Sequence, residues 1–502
     1  VPCITVEGEL PSGHDAFTTY QLYNCLDSAI TAQLLPVILE KMNENHRIAY
    51  ARNRRVLALC MELSTKGFPI DQMPLAELLY QLEKDEAKAL RRLHKFCEAV
   101  DARLINPRSP TDVPWLFYTH LGLPPIYEYD RKTKERRVTS NNKALEKLRE
   151  NYVIAIPLVN AILAVREAGK MASVFKRGLE PKSSTLRCNF SPTGTETGRL
   201  SSQKNPYGRG TNAQNLTDRV RQVVTAPDGY ALLNLDLKTA ESIAVAYLSG
   251  GGAYLEACMS GDLHTQVTRM TWPDKPWTGD LKKDKAIAEQ KGYRHFSWRD
   301  LAKREGHATN YYATPTGISL EVRIPKHLVE EFQRGYYSAF PEIRGWQLSV
   351  IARIQQDGII VTRLGRERRF WGRPDDPATH REAIAFEPQS LVGEVMNEGL
   401  IRGQQWCLHH LRTTNRLIAD LRAQVHDCGL FLVPIDSLDH VAVELQKVMT
   451  VPVDFGPLGD MVIPFDLSVG RRWNKFPKEG ATMYTREGLK DWQPGQPLHW
   501  LD

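Results

Sequence analysis

Two aspartates stand where short apolar runs end. Asp236 closes a β-like run at 230–236, YALLNLD, and Asp427 sits at a turn inside LRAQVHDCGLFLVP, residues 421–434, which reads as two strands. A carboxylate at such an edge stays ionised. Two of them brought together can hold a pair of divalent cations for phosphoryl transfer, one activating the attacking hydroxyl and the other stabilising the leaving pyrophosphate. The same residues also read as strand-end aspartates that merely cap loops. Arg299, Lys303, His307 and Tyr311 recur every four residues in RDLAKREGHATNY. That spacing lays them along one slowly drifting face of a helix. Arg and Lys one turn apart can hold a triphosphate by charge-assisted hydrogen bonds, and His307 and Tyr311 can stack on a base or sugar. An amphipathic helix with a solvated basic end fits the pattern too. Residues 363–373 contain five Arg and one Glu, which can track a nucleic-acid backbone or form a solvated charged turn. Residues 166–221 hold eleven Lys/Arg against four Asp/Glu, amid Ser, Thr, Asn and Gly. Such a segment suits phosphate oxygens and close backbone approach, or else a solvated loop.

The elements that must position these groups follow from periodicity. Residues 15–100 read as helical, broken at Gly67-Phe68-Pro69. Residues 101–144 are rich in Pro, Asn, Arg and Lys and read as short helices and exposed loops, with a basic segment at 131–137. Helix returns over about 145–177. A helix over 240–248 follows the first β-run and stops at Ser249-Gly250-Gly251-Gly252. Residues 254–350 are largely helical, with a Pro/Trp-rich interruption near 272–279. Residues 359–371 look like a hairpin, and a helix follows over about 381–403. No repeat, heptad run or low-complexity tract interrupts this order.

Composition bounds the class. The chain has 502 residues, 42% hydrophobic and 25% charged, which predicts a multidomain globular protein. Its net charge of +6 permits a polyanion partner without requiring one, so any basic surface is local. Eight Cys without a CxxC pair or zinc-finger spacing predict a reduced, intracellular protein. No run of 18 or more uninterrupted apolar residues is present, which argues against a transmembrane span. The opening VPCITVEGEL does not read as a signal peptide.

Taken together, these features resemble family A DNA polymerases, from about residue 50 to 473. TGRLSS at 197–202 followed by NAQN at 212–215 is similar to the family's TGRLSS…NLQN segment, which lines the primer–template minor groove. LLNLDLKTAES at 232–242 resembles the first palm motif, usually DYSQIELR. This maps Asp236 to a metal ligand and Glu241 to the glutamate that crowds the sugar C2′ and excludes ribonucleotides. GDLHTQVT resembles GxDIHxxTA, mapping His264 to a nucleotide-phosphate contact. RDLAKREGHATNY is in register with the fingers helix R-x3-K-x3-F/Y/H-x3-Y, so Arg299 and Lys303 take the triphosphate, His307 the sugar position, and Tyr311 guards the templating position. AFPEIRGW, TRLGRERR and REAIAFEPQS resemble the segments that follow, and Gln389 maps to a glutamine near the template. QVHDC at 424–428 resembles QVHDE, giving His426 near the primer end and Asp427 as second metal ligand. GRRW at 470–473 resembles the terminal GxxW.

The resemblance implies an α+β right-hand polymerase fold, with an antiparallel palm sheet and mostly helical thumb and fingers. The expected divisions are an exonuclease remnant at 1–40, thumb at 41–165, palm at 166–260 and 401–502, and fingers at 261–400. Tyr23 and Asp27 in YNCLDSAITAQL resemble the last 3′–5′ exonuclease motif, but the Asp-x-Glu strand is absent, so no proofreading is expected from this chain alone. The implied activity is template-directed DNA synthesis with two Mg²⁺ ions, Mn²⁺ being the substitute. The implied partners are primer–template DNA and dNTPs, with DNA contacts at Arg166, Lys170, Arg199, Gln214, Asn215, Gln389 and His426. Processivity or replisome proteins stay open as partners, and no membrane is expected. The departures are Cys428 for Glu, Leu237 for an aromatic, Lys238-Thr239 for Ser-Gln, His307 for Phe or Tyr, Tyr312 for Gly and Ala385 for Asn. They point to a phage or organellar replicase, in host cytoplasm or organelle matrix. A single-subunit RNA polymerase and a degenerate DNA-binding scaffold are the alternatives.

Overall fold

The computed structural model describes residues 16–130, 135–179, 183–205, 208–476 and 485–499. The chain's opening at 1–15 and residues 131–134 of the basic segment lie outside these. Two compact units result: Val1–Arg55 with Leu248–Leu391, and Val56–Tyr247 with Val392–Asp502.

The second unit is built on a five-stranded sheet of β1 (Tyr230–Leu237), β2 (Asp420–Val425), β3 (Cys428–Pro434), β4 (Phe465–Gly470) and β5 (Lys490–Asp491). Its order is β2-β3-β1-β4-β5, every described pairing being antiparallel. The near-continuous apolar sequence of β1 and β3 explains their central place. Leu232, Leu233, Leu235, Phe431 and Val433 are all buried. The helix Leu438–Met449 packs on this sheet, burying Val441, Ala442 and Leu445. In the same unit the helices Gln72–Ala99 and Ala155–Gly178 pack along each other over a core that includes Leu93, Phe117, Leu145, Leu158 and Ile162. Asp71 caps the first of them by accepting from the Met73 amide.

The first unit is mostly helical. The helices Leu263–Thr271, Trp298–Asn310, Lys326–Ala339 and Pro341–Asp357 enclose a cluster of buried aromatics, Tyr254, Phe332, Tyr336 and Phe340. A two-stranded hairpin, Ile359–Val361 with Glu367–Arg369, sits where the sequence predicts one. The helix after it is longer than periodicity suggests, Pro377–Thr414, and runs through Pro388. In the second unit, Tyr127–Asp130 pairs with Glu135–Val138 in a region that the sequence predicts to be loops and short helices.

The part of the helix Ala16–Lys41 at Gln21–Lys41 has mean hydropathy 1.3 over its most apolar window and no buried residue there, so it is long and apolar enough, by length and composition alone, to cross a membrane. Asn24, Asp27 and Gln33 interrupt its apolar sequence.

Candidate active site

The carboxylate end of the sheet is set by strand register. Asp236, near the end of β1, is the cross-strand partner of both Cys428 on β3 and Asp466 on β4. Paired residues in an antiparallel sheet project from the same face. Asp427 lies in the two-residue turn between β2 and β3, and its carbonyl accepts from the Leu237 amide at 3.0 Å, which ties the turn to the end of β1. His426 in that turn has φ 55°. Partial desolvation raises the Asp236 carboxyl to about 6, helped by the nearby Asp427 and Asp466 and opposed by Lys475. Burial also raises Asp427, as does Glu241, while Arg199 works against both. The Cys428 thiol is pushed up to about 12 by burial and donates to the Val425 carbonyl at 3.0 Å, so it adds no charge at neutral pH.

Arg199 from the TGRLSS segment is a cation of this group, and Lys475 acts on Asp236. The Arg199 guanidinium pairs with Glu241 and reaches Asp427 at 3.4 Å. The segment is seated by two residues that sequence reading missed. The Asn397 amide donates to the Gly198 carbonyl at 2.8 Å, and a Cβ at Gly393 would come within 2.9 Å of the Arg199 side chain. The small residue and the amide follow Gln389 in the long helix; only the partners reveal their role. Gln214 takes an unexpected part. Its Nε2 donates to the Gln424 carbonyl at 3.1 Å and its Oε1 accepts from the His426 amide at 2.8 Å, so it braces the turn that carries Asp427.

The other nucleic-acid candidates of this unit fall together. Arg166, Lys170 and Asn215 line one cavity of about 540 Å³, alongside Asn142, Leu216 and Thr217. Arg166 is held there by the carbonyls of Pro107 and Ser140, each at 2.7 Å.

The basic helix Trp298–Asn310 belongs to the other unit. It starts with a reciprocal capping box of Ser297 and Asp300. Leu301, Ala302 and Thr309 are buried on its back, while Lys303 and His307 are exposed. Arg299 is gripped by Asp262, with Nη2 to Oδ1 at 2.8 Å and Nε to Oδ2 at 3.3 Å. Burial would raise the Asp262 carboxyl, but bonds from Arg299 and Thr265 outweigh it and hold the group below its usual range. Burial first, then Arg299 and Lys303, lowers His264 to about 4, so it is neutral at pH 7. His307 meets Tyr311 edge-on, with ring centroids 4.9 Å apart. Lys303 has no ion pair among the described residues. Tyr312, where the family has glycine, adopts φ 60°, a backbone that favours glycine, and the Arg344 guanidinium lies 5.0 Å from its ring centroid. Gln389 is half-buried in this unit.

Sequence reading also missed Glu305. It looks like one more charge on a charged helix, yet it is 1% exposed and its Oε2 has no hydrogen-bond partner among the described residues. Burial raises its carboxyl from 4.5 to about 8. The folded chain therefore keeps a proton that the unfolded chain releases above 4.5, and stability falls as pH rises from there through about 8. Glu305→Gln should remove this dependence and gain on the order of a few kcal/mol over wild type at pH 8. Thermal unfolding at pH 5 and pH 8 checks it; equal Tm differences at both would refute the assignment.

The donor set suits a hard divalent cation, because Asp236 and Asp427 offer carboxylate oxygens and Asp427 already attracts a cation, Arg199. Among the described residues no group of three or more His, Cys, Asp or Glu side chains stands close enough to hold a metal ion. The two aspartates would therefore share it with water or substrate oxygens.

The POL domain of Pol1 from M. smegmatis, solved in complex with DNA primer-template and dNTP, matches with a TM-score of 0.67 at 20% identity, covering 84% of this chain and 70% of that one. The fold is thus the right-hand polymerase fold. The sequence profile of DNA polymerase family A matches residues 76–475, and the chain belongs to that family. Thermostable DNA polymerase I of Thermus filiformis is 26% identical over 467 residues, 89% of this chain and 50% of the relative. DNA polymerase I of Mycobacterium tuberculosis strain H37Rv is 25% identical over 443 residues, 84% of this chain and 43% of the relative. The chain spans about half the length of the curated relatives it matches.

Proposed function

We propose that the chain is a template-directed DNA polymerase that adds deoxynucleoside monophosphates to a primer 3′-OH, in phage or organellar replication. The primer oxygen attacks the α-phosphorus of a dNTP, a P–O bond forms, and pyrophosphate leaves. The observation that carries this reading is the placement of Asp236 and Asp427 at one end of the sheet, with Arg199 and Glu241 beside Asp427. Asp236 and Asp427 would hold Mg²⁺ ions, or Mn²⁺ as a substitute. When bound, these ions supply Lewis-acid stabilisation of the attacking and leaving oxygens. Arg299 and Lys303 neutralise phosphate charge, and His264, neutral, donates or accepts a hydrogen bond there. Glu241 crowds the sugar C2′. Arg199, His426 and Asn215, with Arg166 and Lys170, face primer–template, and Gln389 the template; His307 and Tyr311 border the incoming nucleotide and templating base. Gln214 acts through the Asp427 turn. In this reading 41–165 serves as thumb, 166–260 and 401–502 as palm, 261–400 as fingers and 1–40 as the exonuclease remnant.

Extension of one primed template with dNTPs or with rNTPs tests the reading. Rapid dNTP extension and at least ~10²-fold slower rNTP extension are expected, since a sugar gate discriminates by a few kcal/mol. A preference for rNTPs points to an RNA polymerase instead. Duplex binding without any extension in Mg²⁺ or Mn²⁺ points to a scaffold.

A further inference from the structure

We infer that Trp371, with the arginines around it, is a stacking platform for single-stranded nucleic acid. The inference rests on the polymerase reading, in which the unpaired template strand is the ligand. Trp371 is 89% exposed, more than any other large apolar side chain among the described residues. Its display is rigid. Phe370, just before it, is buried and meets Phe386 edge-on at 5.9 Å. Gly372, just after it, lies so close to Thr379 that a Cβ there would be 2.2 Å from the hydroxyl. The hairpin itself is buttressed. Glu367 accepts from Asn43 at 3.0 Å, and Arg52 donates to the Leu364 carbonyl in the turn at 3.0 Å.

The five arginines of this segment divide into two kinds. Arg366 donates to the Asn53 side chain at 3.0 Å, and Arg368 pairs with Glu382 and lies over Phe370, so both support the fold. Arg363, Arg369 and Arg373 are exposed, and Arg369 and Arg373 have no ion pair among the described residues. The Arg369 guanidinium stands 5.8 Å from the Trp371 ring centroid. Nearby acids are committed: Asp376 accepts from the Ala378 amide at 2.8 Å, and Asp375 from Gln355 at 3.1 Å. An open indole flanked by unpaired guanidinium groups suits an unstacked base followed by its phosphates. A duplex hides the faces of its internal bases, so only the terminal pair could meet the ring.

Fluorescence anisotropy with the full chain tests this. One probe is a blunt duplex, and the other is the same duplex with a 5′ template overhang of about ten thymidines, within the span such sites cover. Wild type should bind the overhang probe about 5- to 100-fold tighter than the blunt one, as expected for a base stacked on an aromatic ring. Trp371→Ala should erase that gain, Trp371→Phe should keep most of it, and the blunt-duplex affinity should stay as in wild type. If Trp371→Ala keeps the gain, or wild type shows none, the platform is wrong and the polymerase reading stands. That result also fits a Trp371 surface meant for a protein partner. If wild type binds neither probe, both readings fall.

Discussion

Asp427→Asn should lower the rate of single-nucleotide incorporation by at least ~10³-fold. The substitution keeps the shape of the side chain, removes its charge and turns one acceptor oxygen into an NH2 donor. Asp427 stands in a turn held from two sides, by the Leu237 amide on its own carbonyl and by Gln214 on the His426 amide. Neither bond involves the carboxylate, so the turn should persist. What is lost is the charge of one of the two carboxylates proposed to hold the divalent cation, and among the described residues no group of three or more such ligands stands together to make up for it. The Cys428 thiol beside it is neutral and cannot compensate. Rapid-quench incorporation in Mg²⁺, with Tm and duplex affinity as controls, measures the effect. An Asn variant that folds, binds duplex and extends within tenfold of wild type would remove Asp427 from the chemistry.

Lys303→Ala should lower maximal incorporation by about 10²- to 10³-fold, the scale for removing one preorganised group from a developing charge. Two cations share the exposed face of the basic helix, but they are not equivalent. Arg299 is held by two bonds to Asp262, which offsets its charge and fixes its direction. Lys303 has no such partner among the described residues, so no acid competes with a polyphosphate for it there. Lys303→Arg should recover part of the loss, since the charge returns with a different shape. Incorporation rate against dNTP concentration, under single-turnover conditions, separates weaker nucleotide binding from slower chemistry. Unchanged kinetics in Lys303→Ala would mean that the exposed face of this helix does not meet the triphosphate.

Much of the site is legible in sequence because strand ends and helix faces are local properties. Alternation and apolar runs place Asp236 and Asp427 at strand edges, and a four-residue recurrence places Arg299, Lys303, His307 and Tyr311 on one helix face. The structure agrees for the strand ends and for the first three of the helix residues, while Tyr311 is the C-cap just past the last turn. The backbone demand at Tyr312 is less visible, since only its left-handed φ shows why glycine would suit the position.

What tertiary structure alone decides is which group each side chain meets. Arg199 could face a phosphate or an acid; it pairs with Glu241, 42 residues on, and with Asp427, 228 residues on. Gln214 reads as a nucleic-acid contact, yet its amide is spent on a turn 212 residues away. Asp466 carries no motif, and becomes the neighbour of Asp236 only because β4 pairs with β1. Glu305 is one charge among several in sequence and a buried, protonated carboxyl in the fold. The physical reason is the same throughout. Periodicity encodes the face a residue occupies, whereas burial, charge pairing and hydrogen bonding depend on what the topology sets against that face.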